Sequence, residues 1–237
     1  MTNFELKSFS GPEELACAAA KDWLELSSKS PTAHLMALSG GRITKTFFCA
    51  VTELAGTSRV SLKNVDFFWA DERCVPPDNA ESNYLLAKEN LFAPLAIAPD
   101  KIHRLKGELP PVEAITEANA TIQRIAPKNS AGVSVLDLIF LGLGEDGHIA
   151  SLMPNAPAAV VNSEAAYVRI ENSPKPPPNR ISLSYATIAT AKNVWMLASG
   201  DGKEKALRRS LQVAPTTPFG RLLQLRAQTM IYSDIVL

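Results

Sequence analysis

The residues best suited to chemistry lie in a few short polar stretches. In Gly142-Leu143-Gly144-Glu145-Asp146-Gly147-His148 a carboxylate precedes a histidine by two positions on a glycine-rich loop. Imidazole titrates near neutrality, so a loop-borne His148 can take a proton from water. Asp146 or Glu145 could orient the ring or stabilise its charged form. The plain alternative is a surface or helix-capping histidine. Ser39-Gly40-Gly41-Arg42 reads as a turn from strand to helix, whose free backbone N–H groups and arginine fork suit an anion. An ordinary tight turn is the alternative. Asp71-Glu72-Arg73 could hold sugar hydroxyls or a phosphate, or could be a solvated ion-pair loop. Arg180 and Lys203 are two further candidate anion contacts, each by itself an ordinary surface cation. Cys74, beside Arg73, has no base assigned to it and reads as a small filler. His34 sits in a strand pattern and reads as packed, and His103 lacks a glycine loop.

Several chemistries are disfavoured by what the motifs lack. The phosphate-loop pattern GxxxxGK[ST] is absent, against a nucleoside triphosphate. Gly142 to Gly147 matches GxGxxG literally. A dinucleotide fingerprint needs a long helix after its third glycine, whereas the candidate helix Ile149–Met153 meets Pro154 at once. No GxSxG elbow is present, so a covalent acyl-enzyme is not favoured.

These stretches need elements to position them, and hydrophobic periodicity supplies an alternation. Helical spacing opens at Pro12 and runs through Leu15, Trp23 and Leu26. It recurs over Lys45–Leu54, Ser82–Leu91, Val112–Ile125, Lys203–Leu211 and Phe219–Leu225. Strand patterns cover Ala33–Leu38, Val65–Trp69, Leu136–Leu141, Ile181–Leu183, Val194–Ala198 and Thr229–Tyr232. Asp71–Asn79 reads as a polar loop, and Pro174–Pro178 fits neither helix nor central strand. The three tryptophans read as core. The expectation is one α/β domain over residues 1–237, with a mostly parallel sheet covered on both faces. In such sheets ligands sit beyond the carboxyl ends of the strands. Four polar clusters follow four strands, at Ser39, Asp71, Gly142 and Gly200, and should converge on one rim.

Composition narrows the partners. Lys+Arg and Asp+Glu are both 24, giving zero formal net charge. That removes the electrostatic case for bulk nucleic-acid or anionic-membrane binding. Apolar residues are 46% and charged residues 20%, a folded-protein balance. Three isolated cysteines without CxxC spacing argue against a disulfide framework or zinc cluster and fit a reducing, cytoplasmic setting. The segment from Met1 to Leu6 lacks the features of a secretory signal, and no stretch is apolar for long enough to span a bilayer. A soluble protein is expected.

Taken together the segments resemble the 6-phosphogluconolactonase family. The resemblance rests on Leu38–Arg42, on Asp71-Glu72-Arg73-Cys74-Val75-Pro76 with Ser82-Asn83, on Gly142–Pro154, and on Pro176–Leu183, in order and at matching spacing over nearly the whole chain. Gly142–Pro154 is the most specific block. Where the family commonly has Thr-Pro after the glycine turn, this chain has Ile43-Thr44. The resemblance implies a Rossmann-like three-layer sandwich and hydrolysis of 6-phospho-D-glucono-1,5-lactone in the oxidative pentose phosphate pathway. No metal or organic cofactor is implied, and the partner is a small phosphosugar lactone. His148 would match the family's general base, with Asp146 positioning it or the sugar. Gly40, Gly41, Arg42, Asp71, Arg73, Arg180 and Lys203 would bind substrate and its phosphate. A monomer or small homo-oligomer is expected. The sister isomerase/deaminases resemble the same loop but carry a glutamate where this chain has Met153, which cannot do acid–base work. A catalytically silent phosphosugar sensor and a nicotinamide-dependent dehydrogenase are the remaining alternatives.

Overall fold

A computed structural model describes residues 3–29, 33–58 and 60–237. Met1 and Thr2, part of the N-terminal stretch that lacks secretory features, lie outside them. Strand β1 (Phe4–Ser8) leads into helix α1 (Pro12–Ser28). Pro12 at the first helical position has no N–H to leave unsatisfied, and Glu13 and Glu14 suit the positive helix end. Strand β2 (His34–Leu38) is buried at every position, as is β3 (Val65–Trp69). Helix α2 (Arg42–Ser58) joins them. The next elements are β4 (Asp71–Arg73), α3 (Asn83–Ala87) and α4 (Pro111–Ile125). They are followed by β5 (Leu138–Gly142), α5 (Ala158–Val161), β6 (Tyr167–Ile170) and β7 (Arg180–Leu183). The chain ends with α6 (Tyr185–Thr190), β8 (Asn193–Ala198), α7 (Glu204–Ser210), α8 (Pro218–Leu225) and β9 (Thr229–Ser233).

Six strands form one all-parallel sheet in the order β1-β9-β8-β5-β2-β3. Helices flank it, with α1 and α2 packed together and α8 packed against α6 and α7. Because all six strands point the same way, the chain leaves β8, β5, β2 and β3 at one edge. Those are the four strands that precede the polar clusters. The expected α/β architecture with a parallel sheet is therefore observed.

The alternation misses a second, antiparallel sheet in the order β4-β7-β6. Residues 71–73, expected in a polar loop, form its first strand. Asp71 and Glu72 are polar yet buried, so no apolar alternation marks them. The candidate short helix Ile149–Met153 is not formed; residues 149–152 make a turn closed by an Ile149–Leu152 bridge. The prolines at 174–178 lie in a loop, as their chemistry requires.

The core centres on Trp23, which is fully buried. Its ring packs against Phe47 at 5.9 Å and edge-on to Phe67 and Phe140, both at 6.3 Å. One side chain thus ties α1 to α2 and to two strands of the sheet. Trp69 is fully buried too and Trp195 nearly so, and His34 is packed with its pKa pushed down by burial. Among the described residues no helix is long and apolar enough to cross a membrane. The three cysteines are free, and burial pushes the Cys74 thiol up rather than activating it. Trp23→Ala should lower unfolding free energy by about 3–5 kcal/mol, the usual cost of emptying a large aromatic site. Urea denaturation checks this, and a loss under about 1 kcal/mol would contradict the packing described.

Candidate active site

The four clusters do converge. Ser39–Ile43, Asp71, Arg73, Gly142–Glu145, His148 and Lys203 line one cleft of about 210 Å³ at the carboxyl edge of the sheet. Arg180 from β7 and Lys175 from the proline loop complete it, with Asn83 from the start of α3. Of the residues singled out from sequence, Gly40, Gly41, Arg42, Asp71, Arg73, His148, Arg180 and Lys203 all face this cleft. Asp146 sits beside His148.

The glycine-rich loop is shaped around the imidazole. Asp146 Oδ1 lies 2.5 Å from His148 Nδ1 and also accepts the His148 backbone N–H at 3.2 Å. Gly144 donates its N–H to the His148 carbonyl at 2.9 Å. A Cβ on Gly144 would collide with His148 Nδ1 and Cε1. Gly147 adopts φ +83°, open to glycine and strained for other residues. Its carbonyl accepts Phe219 N–H at 3.0 Å, tying the loop to α8. The literal GxGxxG thus serves a histidine rather than a helix. Burial pushes the His148 pKa below its ordinary value, and the Lys175 charge adds to this. Asp146 and Asp71 oppose it without prevailing. Burial would raise the Asp146 pKa, but its hydrogen bond to His148 and the His148 and Lys175 charges bring it below the usual carboxylate value.

The glycine turn is complete without the Thr-Pro pair. Thr44 Oγ1 donates to the Gly40 carbonyl at 2.9 Å, and buried Ile43 anchors the first turn of α2. Gly40 must be glycine because Asn83 Oδ1 occupies the space a Cβ would need, and Gly41 has φ +106°. Asn83 in turn donates to the Asp71 carbonyl at 2.8 Å and to its carboxylate at 3.3 Å.

The Asp71–Arg73 strand divides its labour. Asp71 is buried and accepts a 2.5 Å hydrogen bond from Ser151. Glu72 turns away from the cleft's chemistry. It accepts from Arg73 N–H, Asn83 N–H, Tyr84 N–H and Ser82 Oγ, so it holds the start of α3 in place. Arg73 faces the cleft while Nη1 donates to the Glu81 carbonyl. Register sets Arg73 directly opposite Arg180. Two like charges in cross-strand register repel, which an anion between them would relieve. Arg180 is buried. Nε and Nη2 donate to the carbonyls of Pro177, Lys175 and Pro176 at 3.0–3.1 Å, leaving Nη1 on the cleft side, 3.5 Å from Ser151. Burial pushes the Lys203 pKa down, helped by the Arg42 charge. In total five cationic side chains line the cleft against two carboxylates, Asp71 and Glu145. Lys175, Ser151 and the role of Asn83 escape sequence reasoning. Only the hydrophilic lysine within the proline run could flag Lys175.

His103, without a glycine loop, lies elsewhere, bonded to Asp66 at 2.8 Å. Among the described residues no group of His, Cys, Asp and Glu is arranged to hold a metal ion.

The sequence profile of the family described as "Glucosamine-6-phosphate isomerases/6-phosphogluconolactonase" matches residues 10–231. The chain is 33% identical to a 6-phosphogluconolactonase of Streptomyces coelicolor over 183 residues, covering 75% of this chain and 70% of that one. The chain belongs to the 6-phosphogluconolactonase family. A probable chloroplastic 6-phosphogluconolactonase 3 of Oryza sativa subsp. indica is 34% identical over 212 residues, covering 85% of this chain. The match spans 64% of that relative's length. The 6-phosphogluconolactonase structure from Trypanosoma brucei superposes with TM-score 0.85 at 26% identity, covering 98% of this chain and 97% of that one. The resemblance drawn from the four motifs and the parallel-sheet architecture both agree with these relatives.

Gly144→Ala should leave the fold intact and push the imidazole off Asp146, because the new Cβ collides with the ring. A crystal structure of the variant checks this. An unmoved ring, still in contact with Asp146, would contradict the steric account.

Proposed function

We propose that this chain hydrolyses 6-phospho-D-glucono-1,5-lactone to 6-phosphogluconate in the oxidative pentose phosphate pathway, without a covalent intermediate. The observation that carries the reading is the Asp146–His148 pair at the edge of a cleft lined by five cations. A phosphosugar lactone needs both features: a base for water at one end and positive charge for a phosphate at the other. The family and its named lactonases support the same substrate.

In this mechanism Asp146 accepts the Nδ1 proton of His148, so Nε2 carries the lone pair. Nε2 takes a proton from water as the water oxygen attacks C1. The carbonyl electron pair moves onto its oxygen. Collapse re-forms C=O and breaks the bond from C1 to the ring oxygen, which receives the proton held by His148. The product carboxyl then loses its proton to solvent. Arg42, Arg73, Arg180 and Lys203, with the Gly40 and Gly41 amides, hold the phosphate. Remote binding of this kind orients C1 against the water. Asp71, fixed by Ser151 and Asn83, accepts from a sugar hydroxyl.

Deamination, the sister activity, is disfavoured by Met153. Its side chain is buried and lines a separate cavity with Pro154 and Tyr185, so it supplies no acid or base to the cleft.

Lactone formed in situ, with 6-phosphogluconate detected by coupled oxidation and spontaneous opening subtracted, tests the reading. Wild type should accelerate hydrolysis, and His148→Ala should lower kcat by about 10²–10⁴-fold with little change in KM. Retained kcat would remove His148 as the base, and no acceleration by wild type would remove the lactonase reading. The pH dependence has a defined sign. Burial and Lys175 disfavour imidazolium, while Asp146 and Asp71 favour it, with a net downward shift. The kcat/KM should therefore rise through an apparent pKa below the ordinary histidine value of about 6.5 and level off above it. An acid limb above that value would contradict a depressed His148.

A further inference from the structure

Lys175 is the cleft cation that the sequence motifs leave without a role. It belongs to the proline loop, and its backbone is fixed from below. Arg180 Nη2 donates to the Lys175 carbonyl at 3.1 Å and to the Pro176 carbonyl at 3.0 Å, while Nε holds the Pro177 carbonyl. Ser173 N–H to the Pro178 carbonyl, at 2.9 Å, closes the loop on itself. A buried guanidinium thus anchors the loop that carries this lysine to the rim. There Lys175 Nζ comes 3.7 Å from Asp146 Oδ1, which touches His148 Nδ1. Of the five cations lining the cleft, it is the one that reaches the dyad itself.

We propose that Lys175 stabilises the oxyanion formed at C1 during lactone opening, rather than the phosphate. This rests on the lactonase reading above. When water adds to C1 and His148 takes its proton, the former carbonyl oxygen carries a full negative charge. An ammonium on the cleft wall next to the Asp146–His148 pair is suited to that charge, which is absent from the ground-state ester. Such an interaction grows in the transition state and acts on kcat. A cation spent on the phosphate would act equally before and during reaction and would appear in KM. The groups facing His148 are Asp146 from its own loop, Asp71 from β4 and Lys175 from the proline loop. Lys175 and the two carboxylates have opposite effects on its protonation, so removing the lysine should move the acid limb upward.

Steady-state lactone hydrolysis by wild type, Lys175→Met and Lys175→Arg tests the assignment, with competitive inhibition by inorganic phosphate measured for each. Lys175→Met should lower kcat on the order of 10²-fold, as loss of an oxyanion donor does. The phosphate inhibition constant should stay within about threefold, and the acid limb should move to higher pH. Lys175→Arg should recover part of kcat. A kcat within about threefold of wild type overturns the proposal. Weakened phosphate inhibition would then make Lys175 a phosphate contact, and unchanged inhibition a solvated cation. Failure of wild type to accelerate hydrolysis would instead sink the lactonase reading, a result read before any variant.

Discussion

The 2.5 Å contact between His148 Nδ1 and Asp146 Oδ1 sets which imidazole nitrogen faces the cleft. An imidazole bonded through Nδ1 to a carboxylate presents its other nitrogen as the base. Burial disfavours the charged ring, and Gly144, lacking a Cβ, makes room for it. Gly144 is the tightest part of this arrangement, since any side chain there occupies the imidazole's space. The remaining cleft residues arrive on other elements and gain their meaning from this fixed point.

The scaffold that delivers them follows from a parallel sheet with one direction of travel. Strands β8, β5, β2 and β3 are neighbours, so the loops after them share a rim although they are far apart in sequence. The smaller sheet adds what the large one lacks. It aligns Arg73 with Arg180, buries Asp71 against Ser151 and extends the proline loop over the dyad. Glu72 and Asn83 couple the two parts. Glu72 fixes the start of α3, and Asn83 then fills the space above Gly40 while holding Asp71.

Legibility in the sequence follows physical contrast. Strands buried on both faces read as mainly apolar runs, so β2, β3 and β8 are plain from composition even with His34, Asp66 and Asn193 among them. Asp146 and His148 are plain because an acid and an imidazole two positions apart, on a loop of glycines, stand out without any periodicity. Strand β1 is not, because its half-buried pattern makes sense only beside β9, more than two hundred residues away. Strand β4 is hidden because its buried residues are charged and are satisfied by groups outside the strand, such as Ser151 for Asp71 and Ser82 for Glu72. Lys175 is hidden because a proline run carries no periodicity, and its position depends on the donors of Arg180.

The central claim is that His148 is a neutral base with its proton on the Asp146 side. The ¹⁵N chemical shifts of the His148 ring at neutral pH test it most directly. The account predicts a protonated Nδ1 and an unprotonated Nε2. A ring protonated at Nε2, whether as the opposite tautomer or as imidazolium, would contradict it.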